Sequence, residues 1–315
     1  CSKKTHSKGA LTYIYRLWRY YQVIKIPVEE LKSTMCQGVR TDMSIFARKL
    51  ENAIQTSNSL VCVGLDPDPA KMPVQDVYEF CRTIVDATSD YVAAVKPNMA
   101  FFEALGIDGL FSLKKVVEYV HHNHPNKLII GDGKRGDIGS TSVKYASALF
   151  QYWNFDAVTV NVFGGRDSIQ PFLDYKEKGV LIWCRSSNPD GFQVQGSSSD
   201  SQSSLFERIA RMAVEWNQNG NVGLVVGATF PKELSIVRKL APGIPILVPG
   251  IGSQKGDLEN SLAAGAETGF PNLIISSSRS INYASDSPDR FGYAAGESAK
   301  YLKESINSIL SVGKQ

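Results

Sequence analysis

The chain has 315 residues, 43% of them hydrophobic, which is enough to bury the core of one α/β barrel or of two smaller domains. The net charge of the whole chain is +3. Residues 1–43 contain eight Lys or Arg and three acidic residues, so this segment has a charge of +5 and the rest of the chain has a charge of −2. A nearly neutral body argues against a duplex nucleic-acid binder, which would carry a basic stripe. No apolar run approaches the ~18–20 residues that cross a bilayer, so no membrane span is expected.

The cysteines indicate a reducing compartment. The five of them show no short-range pairing pattern, and Cys62 and Cys184 fall inside apolar runs. We therefore expect reduced, buried thiols in a cytoplasmic protein.

The N-terminal segment differs in character from the rest of the chain. Residues 1–28 contain six Lys or Arg and no acidic residue, and their aromatic and aliphatic residues are spaced as a helical stripe. This pattern is typical of an organelle-targeting peptide or a membrane-surface helix, but an appendage or a tail without function has the same composition. An amphipathic helix then begins near Ile45. The expected organisation is an N-terminal extension, 1–42, of unknown role and a globular domain, 43–315.

Short apolar runs alternate with helical patterns through the globular domain. Strands that alternate with helices pair in parallel, and eight such units close into a (β/α)8 TIM barrel. The rival is a doubly wound open sheet, which would want a Gly-rich turn after its first strand, whereas Asp66 and Pro67 follow that strand. We predict a single barrel domain. The predicted strands are 60–65, 91–95, 128–130, 157–161, 180–183, 222–226, 244–248 and 273–275.

Polar residues follow nearly every predicted strand. The chemistry of α/β barrels gathers at the C-terminal ends of the strands, so these residues are expected to converge on one opening. A single ion pair is typical of core support, but a ring of polar strand ends indicates a site. The loop 188–204 is polar and is interpreted as a disordered insertion or a mobile lid. The strand-end residues are Asp66, Lys96, Asn98, Asp132, Lys134, Asn161, Arg185, Ser187, Pro249, Gln254, Ser278 and Arg279.

Lys96, Asp132 and Lys134 are predicted to form a row of alternating charges on neighbouring strands. At ~4 Å and an effective dielectric constant of ~20, each adjacent pair interacts by ~4 kcal/mol, which keeps the lysines protonated and fixed. A protonated lysine can deliver a proton to the carbanion that forms when a carboxyl group departs. Asp132 would crowd a substrate carboxylate, and the ammonium groups would stabilise the developing carbanion. The alternative is a strand-end salt bridge.

The last two strand ends favour phosphate binding. Gly250 and Gly252 allow close approach of backbone N–H groups, Gln254 can donate from the side, and Arg279 can form a bidentate pair. A tight turn beside a surface arginine is the alternative.

Asp137 lies beyond the predicted third strand, at the start of a helix predicted over 140–153. Thr141 lies one turn further on the same face. Asp137 is interpreted either as an acidic residue at a helix N-terminus or as a residue that reaches across a symmetric dimer interface.

These motifs resemble the orotidine 5′-monophosphate decarboxylase family. The run from Asp132 to Asp137 resembles its D-x-K-x-x-D signature, and the K-P-N and S-N-P motifs at Lys96 and Ser187 resemble one branch of it. The resemblance covers residues 44–311. It departs at Val162, where the branch usually has Pro, and residues 1–43 have no counterpart.

The resemblance implies a homodimeric barrel that converts orotidine 5′-monophosphate to UMP and CO₂ without cofactor or metal. Lys134 would protonate C6, and Asp137 and Thr141 would enter the partner's site. The implied catalytic residues are Lys134, Asp132, Lys96 and Asp137; the implied substrate-binding residues are Asp66 for the ribose, Ser187 for the pyrimidine, Gln254 and Arg279 for the phosphate, and Asn98, Thr141, Pro249 and Ser278.

Two alternatives stay open. One is a Mg²⁺-dependent sugar-phosphate decarboxylase or aldolase of the same suprafamily, which would lack the S-N-P loop and would need acidic ligands where this chain has Lys96. The other is a catalytically silent nucleotide-binding barrel, which the complete set of Lys and Asp residues argues against.

Overall fold

A computed structural model describes residues 43–196, 203–251, 255–267 and 270–312, and the structural statements below refer to those residues. The predicted extension 1–42 lies outside them, so its separate organisation stays a prediction.

Eight parallel strands form a closed barrel in chain order. The first and last strands pair with each other, with Val63 opposite Ser277, and this pairing closes the sheet. The predicted (β/α)8 barrel is confirmed. The strands are β1 (Val61–Leu65), β2 (Ala94–Pro97), β3 (Leu128–Arg135), β4 (Ala157–Val160), β5 (Gly179–Arg185), β6 (Val222–Val226), β7 (Ile246–Pro249) and β8 (Leu273–Ser277).

Helices connect the strands, and the longer ones bury an apolar face against the sheet. None of the described helices is both long and apolar enough to span a membrane. They are α1 (Ile45–Ser57), α2 (Val77–Thr88), α3 (Met99–Glu103), α4 (Gly106–Asn123), α5 (Gly139–Ser147), α6 (Arg166–Leu173), α7 (Phe192–Gln195), α8 (Leu205–Trp216), α9 (Pro231–Leu240), α10 (Lys255–Gly265), α11 (Arg279–Asn282) and α12 (Phe291–Val312), with 3₁₀ turns at Ser89–Tyr91 and Pro189–Gly191 and a π turn at Ala148–Tyr152.

Helix α1 packs at the N-terminal ends of the central strands. Phe46 is 1% exposed, and its ring atoms lie where a side chain at Gly179 would stand, since a Cβ there would come within 2.4 Å. Lys49 forms an ion pair of 2.6 Å with Asp156, just before β4. Because α1 occupies this end, the opposite end of the barrel is the one left for a site.

The barrel strands form much of the hydrophobic core. Five strands are buried along their whole length: β1, β2, β4, β6 and β8. The described free cysteines are buried as well, as expected for Cys62 and Cys184; the third is Cys81. Several boundaries differ from the predictions, three of them by more than two residues. The 3₁₀ turn Ser89–Tyr91 delays the start of β2, the helix predicted over 140–153 is an α-helix only to Ser147, and β3 continues to Arg135.

Candidate active site

Asp132 is the centre of a hydrogen-bonded charge network at the C-terminal end of β3. Lys96 Nζ donates to Asp132 Oδ2 at 2.8 Å, and Lys134 Nζ donates to Oδ1 at 2.6 Å. Thr159, on β4, donates its hydroxyl to Oδ1 at 2.9 Å. Three neighbouring strands therefore hold one carboxylate, which leaves it little rotational freedom.

The two lysines of the network differ in exposure. The Lys96 side chain is 5% exposed, whereas the Lys134 side chain is 36% exposed, so a bound molecule can reach Lys134. Burial lowers the pKa of Lys96, but the charges of Asp132 and Asp66 outweigh it and raise the pKa above its ordinary value. Burial likewise raises the pKa of Asp132, but Lys96 and Lys134 outweigh it and hold the pKa well below its usual range.

The backbone of Lys134 lies in the left-handed region, with φ of 45°. The pairing of β3 with β4 shifts register between Gly131 and Arg135, which marks an irregularity at this point. Lys134 N donates to the Thr159 hydroxyl at 3.0 Å and so ties the irregular segment to β4. A left-handed conformation is costly for a residue with a side chain, so the surrounding contacts must stabilise it.

A cavity of about 670 Å³ opens beside this network. Lys96 and Asp132 line it from β2 and β3, and Pro249, Ser278 and Arg279 line it from the ends of β7 and β8. Ser277, the last residue of β8, donates its hydroxyl to the carbonyl of Ile251 at 3.3 Å, which joins the end of β8 to the loop after β7. The cavity thus combines an ammonium and carboxylate network with a polar turn that carries an exposed arginine.

Asp66 and Asn98 line the same cavity from the ends of β1 and β2. Asn98 N donates to Leu65 O at 3.1 Å, and Asn98 forms an isolated parallel bridge with Asp132. Its side chain caps α3 by accepting from Ala100 N at 3.3 Å. The first three strand ends are therefore joined through backbone and side-chain contacts of Asn98.

Comparison with known proteins identifies the family. The sequence model of the orotidine 5′-phosphate decarboxylase / HUMPS family matches residues 59–290. The orotidine 5′-phosphate decarboxylase of Dechloromonas aromatica is 45% identical over 269 residues, which make up 83% of this chain and 98% of that protein. The chain belongs to the orotidine 5′-phosphate decarboxylase / HUMPS family.

Solved structures agree with this membership. The OMP decarboxylase of Leishmania donovani is 38% identical, with a TM-score of 0.74, over 85% of this chain and 98% of that one. The UMP synthase of the same organism is 40% identical, with a TM-score of 0.75, over 85% of this chain and 56% of that one. The resemblance predicted from the motifs is confirmed at the level of the family.

The structure brings together most of the residues that the family resemblance singles out. Seven of them line the cavity, and Lys134 contacts one of the seven through its ammonium group. Their individual roles stay predictions. The seven are Asp66, Lys96, Asn98, Asp132, Pro249, Ser278 and Arg279.

Three other predicted residues that the structure describes lie outside this lining. Ser187 is exposed at the end of β5, where its carbonyl accepts from the Thr229 hydroxyl at 3.3 Å. Asp137 is exposed, and its carboxylate accepts from the N–H of Ile138 rather than from the lysines. Thr141 lies on α5, the helix that follows, and Gln254 lies outside the described residues. Within one chain, Asp137 therefore forms no hydrogen bond with Lys96 or Lys134, although the D-x-K-x-x-D motif groups it with Asp132 and Lys134.

Thr159 and Tyr283 are among the residues of the site that were not predicted. Thr159 stands in the otherwise apolar β4, and that single polar residue in a buried strand was a usable signal. Tyr283 lines the cavity and bonds the loop after β1, but nothing in its local sequence marks it. Within the described chain, no group of three or more His, Cys, Asp or Glu side chains is placed to hold a metal ion.

Proposed function

We propose that the protein is an orotidine 5′-monophosphate decarboxylase, which converts its substrate to UMP and CO₂, the last step of UMP synthesis de novo. The observation that carries the proposal is the Asp132 carboxylate held between the ammonium groups of Lys96 and Lys134 at the cavity wall. The name of the Dechloromonas relative supports the same activity.

In the proposed reaction, the bond between C6 of the pyrimidine and its carboxyl carbon breaks. The electron pair stays on C6, CO₂ leaves, and Lys134 Nζ transfers a proton to C6. Asp132 stands beside the substrate carboxylate, so the ground state suffers a repulsion that vanishes as CO₂ departs. The positive charges of Lys134 and Lys96 stabilise the developing carbanion, because they are already oriented before the substrate binds.

The proposal assigns the positive charge of the reaction to lysines, so no metal or cofactor enters it. Lys96 donates to Asp132 and occupies the position at which a metal-dependent relative would need an acidic ligand. The substrate is recognised through groups that the resemblance implies. These are Arg279 and Gln254 at the phosphate, Asp66 at the ribose and Ser187 at the pyrimidine, with Asn98, Pro249 and Ser278 as further substrate-binding residues.

We further propose a homodimer in which Asp137 and Thr141 complete the partner's site. The Asp137 carboxylate accepts from Ile138 N and, in the described part of the chain, forms no hydrogen bond with its own lysine network. The apolar side chains around it are open, since Ile138 is 69% exposed, Val143 50% and Phe163 85%. Burial of this apolar surface against a second copy would bring Asp137 and Thr141 to the neighbouring cavity.

Ultraviolet absorbance measures the proposed activity directly. The absorbance due to orotidine 5′-monophosphate should fall as the protein converts it to UMP, and the rate of this fall should be the same with and without EDTA. Lys134→Ala should abolish the loss. Inactivation by EDTA would instead support the alternative of a metal-dependent reaction. Full activity of Lys134→Ala would refute the lysine mechanism.

Mixed subunits test the dimer. Lys134→Ala and Asp137→Ala subunits, each inactive alone, should regain one working site per heterodimer when combined. If confirmed heterodimers show no recovery, Asp137 acts in its own subunit. The cytoplasmic location and the absence of a nucleic-acid partner stay predictions, which cell fractionation and a filter-binding assay would test.

A further inference from the structure

One phenol joins the two ends of the candidate nucleotide cavity. Tyr283 donates its hydroxyl to the carbonyl of Asp66 at 2.5 Å and accepts from the N–H of Asp68 at 2.9 Å. Tyr283 follows α11, the helix that begins with Arg279, and is 217 positions from Asp66 in the chain. The loop after β1 and the helix after β8 are therefore bonded through this side chain.

The residue before Tyr283 strengthens the same connection. Asn282 is fully buried and donates through Nδ2 to Gly64 O at 2.6 Å and to Ser278 O at 3.0 Å. The backbones also approach closely, since a Cβ at Gly64 would come within 1.9 Å of Ser278 Oγ. Helix α11 thus has little freedom to move relative to the end of β1.

Tyr283 is held so that its hydroxyl keeps this position. Its half-buried ring stacks on Phe80, with centroids 5.9 Å apart and planes inclined by 17°. Burial raises the pKa of Tyr283 to about 12, so the phenol stays protonated and able to donate at physiological pH.

Asp66 depends on this support. Its Oδ1 atom is buried and has no hydrogen-bond partner in the described part of the chain. Hydrogen bonds do not fix that carboxylate oxygen, so the backbone of the loop must set where it points. Tyr283 bonds that backbone at Asp66 itself and again two residues later.

We infer that Tyr283 is a positioning residue that fixes the distance between Asp66 and Arg279, and therefore the spacing at which the ribose and phosphate of one nucleotide are bound. The inference rests on the proposed function. Tyr283 acts through Asp66 and α11 and takes no part in proton transfer, so its effect falls on substrate binding rather than on the chemical step.

Tyr283→Phe tests the inference because it removes the hydroxyl and keeps the stacked ring. The KM for orotidine 5′-monophosphate should rise about tenfold, the effect of losing one or two buried hydrogen bonds, while kcat changes less than about threefold. The Kd for UMP, measured by calorimetry, should rise by a similar factor. Tyr119→Phe is the matched control, because its hydroxyl donates to Asp86 at 2.7 Å outside the cavity lining, and it should leave both constants unchanged.

A double variant separates positioning from general support of the fold. In an Asp66→Ala background, Tyr283→Phe should raise KM less than about twofold, because the residue through which it acts is already gone. An unchanged KM in Tyr283→Phe, or a full and additive rise in the double variant, would overturn the inference. Wild-type turnover reports separately on the proposed function: if it is absent, that function fails, and the UMP affinities of the wild type and Tyr283→Phe still decide the role of Tyr283.

Discussion

Replacing Asp132 by Asn should change the ionisation of Lys96. In the wild type, burial favours neutral Lys96, and the charge of Asp132 is the largest effect that opposes it. At ~4 Å and an effective dielectric constant of ~20, one such pair is worth ~4 kcal/mol, or about three pKa units. We therefore expect the pKa of Lys96 to fall by about three units in Asp132→Asn, from above its ordinary value to below it.

The sign of the stability change follows from that shift. In the wild type, the raised pKa of Lys96 stabilises the fold below the unfolded pKa of ~10.4, and this contribution is lost as pH rises through the folded pKa. In the variant the pKa is depressed, so the contribution is present above ~10.4 and is lost as pH falls toward the folded pKa. The free energy of unfolding of Asp132→Asn should therefore decline as pH falls from ~10.4 toward the lowered folded pKa of Lys96, a range in which the wild type has no such slope from Lys96.

Two measurements check this reasoning. An NMR titration of the Lys96 side chain reports the fraction of neutral amine, and urea unfolding reports the stability. Asp156→Asn is the control, because it breaks the ion pair with Lys49 beyond the other end of the barrel and should leave the Lys96 profile unchanged. If Asp132→Asn has the same Lys96 profile as the wild type, the electrostatic account of the network is wrong.

Three further predictions concern stability and reactivity. Arg238 is 7% exposed and donates to four backbone carbonyls within residues 241–272. Arg238→Met should therefore lower the free energy of unfolding, measured in urea, by about 3 kcal/mol. A loss below about 1 kcal/mol would contradict this role. Ser204 and Glu207 form a capping box on α8, so Ser204→Ala should cost about 1 kcal/mol by the same assay, and an unchanged midpoint would count against it. Burial raises the pKa of Cys62 to about 12, so iodoacetamide at pH 8 should modify Cys62 only after unfolding in urea, whereas labelling of the native protein would show that the thiol is accessible.

The barrel was predictable because its signals are local and repeated. Each strand is a short apolar run that ends in a polar residue, and the ends of parallel strands meet at one opening. The meeting of Lys96 with Asp132 followed from that rule alone. The roles of both residues were inferred from the pattern of charges and then from the family resemblance, and they stay predictions.

The details that were not predictable depend on distant contacts. Lys134 adopts a left-handed backbone that lysine avoids in isolation, and the N–H bond to Thr159 across the strand pair supports it. Tyr283 finds its partners more than 200 positions earlier in the chain. No window of neighbouring residues contains this information, because it arises only when the barrel has closed.

The pairing of β1 with β8 has a consequence for the order of events during folding. Asp66 belongs to the first strand end and Arg279 to the last, so both are at the seam where the barrel closes. That seam joins segments about 210 positions apart, and such long-range pairings form slowly. A nascent chain can build the Lys96, Asp132 and Lys134 network from neighbouring strands well before β8 has been synthesised. We expect the charge network to precede the nucleotide cavity in folding, and ligand binding to report on the last step.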